Sequence, residues 1–199
     1  MLISFEGIDG CGKSTQIELL KEFLIQSGKK VEVFREPGGS AISEQIRAIL
    51  LNTGDDIHPV AELLLFSAAR AQLIAEKVEP ALAEGYIVIL DRFYDSTTAY
   101  QGFGRDSIEL NSIETINAIA SLGKIPELTF YLKISWEESK KRTAHLQEDR
   151  MEKAGQEFFE KVIEGYNYLA KREERFVEID ASQSINSIHE TILMKIAAL

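Results

Sequence analysis

The sequence predicts a three-layer α/β fold, in which a five-stranded parallel sheet carries helices on both faces. Short apolar runs alternate along the chain with longer segments of helical periodicity, which is the pattern of parallel strands joined by helical crossovers. The apolar runs are rich in Val, Ile, Leu, Phe and Tyr, as buried parallel strands are. The predicted strands are Leu2–Phe5, Val31–Arg35, Tyr86–Leu90, Leu128–Lys133 and Phe176–Ile179.

Helical patterns fill the segments between these strands. Gly28, Gly85 and Gly123 lie near predicted helix ends, where a left-handed cap is favourable, and Ser184 can cap the last helix. No linker rich in Pro, Gly or Ser divides the chain, so a single domain over residues 1–199 is predicted. The predicted helices are Lys13–Ser27, Ile42–Asn52, Val60–Glu84, Asp106–Ser121, Trp136–Thr143, Gln156–Arg172 and Ile185–Ala198.

Composition restricts the class of partner. The chain has 32 acidic and 22 basic residues and a net charge of −10, which disfavours binding to DNA or RNA but allows a small anionic substrate. Its single cysteine, Cys11, excludes a disulfide within the chain and fits a reducing compartment. No apolar run reaches the length of a membrane span. We therefore expect a cytoplasmic protein that binds neither a membrane nor a nucleic acid polymer.

A phosphate-binding loop follows the first predicted strand. Residues Gly7–Ser14 match the P-loop pattern G-x-x-x-x-G-K-[ST], and a helical pattern follows at once. In such a loop, backbone N–H groups and a lysine hold the phosphates, while the final hydroxyl binds Mg²⁺. The sequence therefore predicts binding of a nucleoside triphosphate. The residues expected to contact it are Gly7, Ile8, Asp9, Gly10, Cys11, Gly12, Lys13, Ser14 and Thr15.

The third predicted strand ends in two charged residues. Asp91 follows Ile87–Leu90, which is the place where P-loop proteins hold Mg²⁺ directly or through water. Ser14 and Asp91 are thus the candidate metal ligands. Arg92 comes next, and its guanidinium could bind a phosphate in a bidentate manner or form a surface ion pair.

Four segments in addition to the P-loop carry a resemblance to a known family. They are Arg35–Gly39, Phe66–Arg70, Asp91–Gly102 and Asp149–Glu152. Together they closely resemble the bacterial type of thymidylate kinase over nearly the whole chain. The resemblance implies a P-loop kinase fold and transfer of the γ-phosphoryl group of ATP to dTMP, which gives dTDP and ADP. It also implies Mg²⁺ as cofactor and a homodimer.

The resemblance implies a pocket for the base and sugar. Phe66 resembles the ring that stacks on thymine, although core packing is its alternative role. Arg70, four residues later on the same helical face, resembles the donor to a base carbonyl. Thr97 resembles the side chain that reads the base edge, and Tyr100 the ring that crowds the sugar 2′ position. Pro37 matches the proline that shapes the pocket.

The resemblance also implies contacts to the rest of dTMP. Arg35 and Arg92 would flank the acceptor phosphate. Asp9 resembles the carboxylate that contacts the 3′-hydroxyl, with a loop-stabilising Asx turn as its alternative. Tyr166 either reaches the nucleotide or packs in the core. The full substrate-binding set implied by the resemblance is Asp9, Arg35, Pro37, Phe66, Arg70, Arg92, Ser96, Thr97, Tyr100, Gln101 and Tyr166.

A charged segment near residues 140–153 is either a solvated helix surface or a lid. The resemblance favours a lid that supplies a cation, because the P-loop itself contains no arginine. His145 occupies the place where an arginine is expected, so Arg142 or Arg150 could serve instead. The catalytic residues implied are Lys13, Arg92, Arg142 and Arg150.

Three other interpretations remain open at this level. A kinase for another nucleoside monophosphate or a deoxynucleoside would share the fold. A GTP-dependent switch would carry an Asn-Lys-x-Asp guanine reader, which the sequence lacks, and an ATP-driven motor would need sensor elements that are not evident. The apolar row Leu63–Phe66 is compatible with a dimer contact and equally with a fully buried helix.

Overall fold

A computed structural model of the protein describes residues 1–52, 56–106, 108–147 and 149–198. Five parallel strands form one sheet in the order β2-β3-β1-β4-β5. This confirms the predicted sheet, with strand ends displaced by one residue at most. The strands are β1 (Leu2–Glu6), β2 (Val31–Arg35), β3 (Ile87–Asp91), β4 (Leu128–Lys133) and β5 (Phe176–Asp180).

The strand order places the functional loops at one edge of the sheet. β1 lies between β3 and β4, and Phe5 is in register with both Asp91 and Phe130. Arg35 at the end of β2 is in register with Asp91. In an open α/β sheet, ligands bind outside the carboxyl ends of the strands where the connections diverge to either side. The loop after β1 occupies that point.

Helices cover both faces, as the alternation of side chains along the strands shows. Ile3, Phe5 and Ile89 belong to the larger apolar core, whereas Leu2 and Val88 belong to a second core. Neighbouring residues of a strand point to opposite faces, so the two cores lie on opposite sides of the sheet. The described helices are α1 (Lys13–Gln26), α2 (Ala41–Leu51), α3 (Pro59–Leu73), α4 (Glu79–Ala83), α5 (Tyr94–Thr97), α6 (Leu110–Ala120), α7 (Trp136–Thr143), α8 (Gln156–Arg172) and α9 (Ile185–Ile196).

Two of the predicted helices differ from the observed ones. The predicted helix Val60–Glu84 is α3, a π-helical turn at Ile74–Val78 and then α4, whose first turn contains Pro80. Proline has no N–H to continue the α-helical bonding pattern, and the backbone N–H of Glu79 bonds to the carbonyl of Ile74 instead. The predicted helix 106–121 begins only at Leu110, because Asp106 has a left-handed φ of 48°; its Ser107 lies outside the described residues.

One helical segment was not predicted. The chain forms α5 and then a π-helical turn at Thr98–Gly104 directly after β3. A four-residue helix is too short for its periodicity to be read from the sequence. The π-helical turn packs mainly against α8.

The predicted helix caps are confirmed. The Ser184 side chain accepts the backbone N–H of Ser187 at the start of α9. Gly28, Gly85 and Gly123 all have positive φ values after helix ends. Among the described residues, no helix combines the length and the apolar character that crossing a membrane requires.

Candidate active site

The loop after β1 has the backbone geometry of a phosphate cradle. Gly10 and Gly12 have φ values of 74° and 97°, a region that glycine adopts without strain. At Gly7, with φ of 134°, an added Cβ would lie 2.5 Å from the carbonyl oxygen of Leu132, so only glycine fits. α1 begins at Lys13, and the positive end of its dipole therefore faces the loop.

A cavity of about 390 Å³ opens over this loop, and we call it the phosphate cavity. Its lining contains five basic and three acidic side chains, although the whole chain has a net charge of −10. A local excess of cations is what an anionic ligand requires. The lining residues are Asp9, Gly10, Gly12, Lys13, Ser14, Thr15, Arg35, Glu36, Arg47, Asp91, Arg92 and Arg142.

A second cavity of about 110 Å³ adjoins the first, and we call it the base cavity. Its lining combines five apolar or aromatic side chains with nine polar or charged ones, so it offers both packing surface and hydrogen-bonding groups to a small molecule. Four of its residues also line the phosphate cavity, namely Asp9, Glu36, Arg47 and Arg92. The other residues of its lining are Pro37, Leu51, Phe66, Arg70, Ser96, Thr97, Tyr100, Gln101, Asp149 and Met151.

Arg92 lies at the boundary between the two cavities. Its backbone has a φ of 70°, which is strained for a residue with a long side chain. The guanidinium donates to the carbonyl of Gly7 at 2.9 Å and to Oδ1 of Asp9 at 2.8 Å. Burial opposes its charge, but Tyr100, Asp9 and Tyr166 outweigh that effect and raise the pKa of Arg92 above its usual value. The side chain is therefore a fixed cation.

Asp9 is paired with two cations. It lies 2.8 Å from Arg92 and 4.0 Å from Nζ of Lys13. Burial favours the protonated form, but Arg92 and Lys13 outweigh burial and lower the pKa of Asp9. Its carboxylate is therefore ionised at neutral pH. Lys13 also donates to the carbonyl of Gly7 at 3.0 Å.

A buried ion pair forms one wall of the base cavity. Arg70 is only 2% exposed, and its Nε donates to Oε2 of Glu36 at 2.7 Å. Its other nitrogens donate to Oγ1 of Thr97 at 2.9 Å and to the carbonyl of Phe93 at 3.2 Å. Burial raises the pKa of Glu36 by more than the charge and hydrogen bond of Arg70 lower it, so the pKa is raised overall. Because of these bonds the guanidinium is held rigidly in the cavity wall.

The two candidate lid arginines lie in different surroundings. Arg142 lines the phosphate cavity and donates to the carbonyls of Gly10 at 3.3 Å and Ala181 at 3.0 Å. Arg150 instead donates to the carbonyl of Leu50 at 2.7 Å and pairs with Glu62 at 2.6 Å. Of these two described arginines, Arg142 lines the phosphate cavity and Arg150 does not. The predicted lid segment, residues 140–153, also includes Glu148, which lies outside the described residues.

Comparisons with known proteins agree with this geometry. The family profile described as Thymidylate kinase matches residues 5–192. A thymidylate kinase of Chlorobium luteolum is 50% identical over 204 residues, covering 97% of this chain and 95% of the relative. One from Thermoanaerobacter sp. is 46% identical over 192 residues, covering 96% and 94%. The chain belongs to the thymidylate kinase family.

A solved structure shows the same fold. The crystal structure of thymidylate kinase from Ehrlichia chaffeensis has a TM-score of 0.79 and 32% sequence identity, and 98% of each chain is covered. Membership of the thymidylate kinase family gives the activity: the enzyme transfers a phosphoryl group from ATP to dTMP and forms dTDP.

The structure brings most of the predicted site residues together around the two cavities. Five of the predicted residues, all within the described part of the chain, line neither cavity: Gly7, Ile8, Cys11, Arg150 and Tyr166. Ile8 and Cys11 belong to the P-loop, but their side chains are buried in the larger apolar core. Phe66 is only partly buried and lines the base cavity. Tyr166 is fully buried beneath Arg92, with its hydroxyl 2.8 Å from Oγ of Ser96.

Several cavity residues were missed in the sequence. Glu36 stands between two predicted residues, so its position in the same segment was a usable signal. Arg47 donates to the carbonyl of Pro37 at 2.9 Å and lines both cavities, yet nothing in its sequence context marked it. The remaining missed lining residues are Leu51, Asp149 and Met151.

Glu6 was also missed, although it lies at the base of the site. It is the last residue of β1 and is fully buried. Burial, aided by the negative charge of Asp95, raises the pKa of Glu6 to about 7, against the opposing effects of Ser96, Arg92 and Phe93. A glutamate at the end of an apolar strand could have been noticed, but its partners are distant in sequence.

Proposed function

We propose that dTMP occupies the base cavity and that the phosphates of ATP occupy the phosphate cavity. The observation that supports this most directly is that the two cavities adjoin and share Asp9 and Arg92. The acceptor phosphate of dTMP would then lie beside Arg92, in line with the γ-phosphoryl group held by the P-loop. Catalysis would consist mainly of positioning and charge neutralisation, as in other phosphoryl transfers.

The base would be recognised by one flexible and one fixed group. Phe66 is free to stack on thymine because its ring is only partly buried. Arg70 is fixed by Glu36 and Thr97, and a preorganised guanidinium can donate to a base carbonyl at little entropic cost. Tyr100 lines the same cavity, with its ring 5.1 Å from the guanidinium of Arg92, and we assign it contact with the sugar.

Ser14 at the end of the P-loop and Asp91 at the end of β3 fit a magnesium ion. Ser14 is exposed, Asp91 is partly buried, and both line the phosphate cavity. Within the described parts of the chain, no three His, Cys, Asp or Glu side chains form a dedicated metal site. Mg²⁺ commonly binds through one or two protein oxygens together with phosphates and water. When bound, the ion would neutralise charge on the transferring phosphate.

We assign the lid cation to Arg142 and a supporting role to Arg150. Arg142 faces the P-loop, whereas Arg150 pairs with buried Glu62 on α3. Gln101 and Arg105 also donate to Glu62. This cluster would attach the lid to the wall of the base cavity, so that the segment closes over a fixed hinge and excludes water.

We also propose that the enzyme forms a homodimer and works in the cytoplasm, where ATP is available. Leu64 is 52% exposed and Val60 is 38% exposed on α3, whereas Leu63 on the same helix is fully buried. Ile119 on α6, a helix that packs against α3, is 69% exposed. Exposed apolar side chains on packed helices favour a contact with a second copy. Sedimentation of wild type and Leu64→Glu would test this, and a monomeric wild type would contradict it.

The substrate assignment can be tested by coupled ADP release with dTMP, dUMP, dCMP, dGMP and dAMP. dTMP should give the highest kcat/KM. Arg70→Ala should raise KM for dTMP by about 100-fold, as expected when a buried hydrogen bond to the base is lost, and KM for ATP should change little. Arg172→Ala, which removes a half-exposed arginine of α8, is the matched control. Equal losses of ATP and dTMP use in Arg70→Ala would contradict the assignment.

A further inference from the structure

Glu6 is a buried carboxylate outside the walls of both cavities. Its Oε1 accepts the backbone N–H of Phe93 at 2.8 Å. Its Oε2 accepts hydrogen bonds from the hydroxyls of Ser96 at 2.6 Å and Tyr166 at 3.1 Å. It forms no ion pair with a described Lys or Arg, and a buried carboxylate that lacks a cation is unfavourable for stability. The cost suggests a role other than holding the fold together.

The donors to Glu6 are the neighbours of Arg92. Phe93 follows Arg92 directly in the chain. The hydroxyls of Ser96 and Tyr166 each accept a hydrogen bond from Nη1 of Arg92 at 3.3 Å. Glu6 therefore fixes the backbone just after Arg92 and both hydroxyls against which its guanidinium rests. Arg92 needs such support because its φ of 70° is strained.

We propose that Glu6 is a positioning residue for phosphoryl transfer, which acts by holding Arg92 at the boundary between the base and phosphate cavities. The proposal rests on the proposed role of Arg92 at the acceptor phosphate. A catalytic group must be held to within about 0.5 Å of its productive position. The three bonds to Glu6 provide that constraint from beneath the site.

The charge of Glu6 determines which way these bonds run. The charged and titratable groups around it are Arg92 on the loop after β3, Asp95 and Tyr94 on α5, and Tyr166 on α8. An ionised Glu6 only accepts, so Ser96 donates to it at 2.6 Å, and the single proton of Tyr166 is shared between Glu6 at 3.1 Å and Oγ of Ser96 at 2.8 Å. A protonated Glu6 must itself donate to one of these hydroxyls. That reversal changes the bonds that they offer to Arg92.

Glu6→Gln tests the proposal because it keeps the size of the side chain and removes its charge. Its NH₂ group would face the hydroxyls as a donor and compete with Arg92. We expect kcat/KM for dTMP to fall by about 10- to 100-fold, the effect of one misplaced charged hydrogen bond. KM for ATP should remain within about twofold of the wild-type value. Glu32→Gln, at an exposed position of β2, is the matched control and should behave as wild type.

The ratio of wild-type to Glu6→Gln activity provides a second readout. Ionisation of dTMP affects both proteins equally and cancels in this ratio. The ratio should rise as the pH increases through about 7 and then become constant, because only the wild type gains an ionised carboxylate. A ratio that does not change with pH, or a variant with wild-type kcat/KM for dTMP, would overturn the proposal.

A double-mutant cycle separates positioning from general structural damage. In an Arg92→Ala background, Glu6→Gln should lower kcat/KM by less than about twofold, since the group through which it acts is gone. An undiminished loss there would refute the proposal. If Glu6→Gln does not fold, as judged by circular dichroism, Tyr166→Phe replaces it in the same cycle. If Arg92→Ala alone retains wild-type turnover of dTMP, the proposed role of Arg92 fails instead.

Discussion

The two lid arginines should respond to substitution in opposite ways. Arg142 lines the phosphate cavity, and its ion-pair partner Glu138 is 37% exposed. Arg142→Ala should therefore lower kcat by about 100- to 1000-fold, as for loss of one preorganised donor to the transition state. Its effect on the free energy of unfolding should be only about 1 to 2 kcal/mol, because the partly exposed ion pair contributes little and the bonds to the carbonyls of Gly10 and Ala181 contribute about 0.5 to 1 kcal/mol each.

Arg150→Ala should mainly affect stability. It removes a hydrogen bond to the carbonyl of Leu50 and an ion pair with Glu62, which is fully buried. Glu62 keeps its bonds from Gln101 and Arg105, so its charge remains partly compensated. We expect a loss of about 2 to 4 kcal/mol, which corresponds to a decrease in Tm of roughly 5 to 15 °C for a chain of this size.

Thermal unfolding and steady-state kinetics on both variants would test this contrast. Lys141→Ala, adjacent to Arg142 and with its side chain 79% exposed, is the control and should change neither quantity. Kinetics should be measured well below the Tm of the Arg150 variant, so that unfolding does not reduce the active fraction. A larger loss of kcat in Arg150→Ala than in Arg142→Ala, at unchanged Tm, would refute the assignment of the lid cation.

Three further predictions concern stability. Gly7→Ala should lower the free energy of unfolding, measured in urea, by about 2 to 4 kcal/mol, because it introduces backbone strain and a steric clash. The control is Gly28→Ala, which has a positive φ but open space around its Cβ and should lower this free energy by only about 1 kcal/mol. Equal losses in the two variants would contradict the prediction. Arg175→Ala should lower the free energy of unfolding by about 3 to 5 kcal/mol, because it leaves buried Asp95 without its bidentate partner. Adding Asp95→Asn should recover part of this stability. Glu6 has its pKa raised from 4.5 to about 7, so its contribution to stability is present below pH 4.5 and is lost as the pH rises through 7. Relative to wild type, Glu6→Gln should therefore become more stable by up to about 3 kcal/mol between pH 4.5 and pH 8, and a difference that is constant with pH would contradict this.

Local sequence patterns predicted most of the fold, because they report local forces. The five strands and the caps at Ser184 and Gly28 could be read directly, since burial and φ preferences act on individual residues. Two features of the fold were not predicted, because tertiary contacts and not local sequence determine them. The π-helical turn before α4 depends on how the chain re-forms hydrogen bonds near Pro80. The short α5 is held by contacts with α3, α6 and α8 rather than by its own propensity.

The candidate site divides in the same way. Motifs located the P-loop, and the family resemblance named Phe66 and Arg70, which the structure places in one cavity wall. Arg47 could not be found, since no local pattern marks a residue that reaches the cavity from a distant element. Met151 lies in the segment Asp149–Glu152 that carried the resemblance, but its place in the cavity wall was not inferred. The lid cation was open between two arginines because spacing along the chain does not show which side chain turns towards the P-loop.

By itself, the sequence determined that this chain builds a parallel sheet with a triphosphate-binding loop after its first strand, since both follow from residues that are adjacent in the chain. Only the tertiary structure decided how the charged groups are shared. Glu6 meets Ser96 and Tyr166 across 90 and 160 residues, and Arg150 meets Glu62 rather than the phosphate cavity. Hydrogen bonds and desolvation depend on distance in space, which only the packed fold fixes.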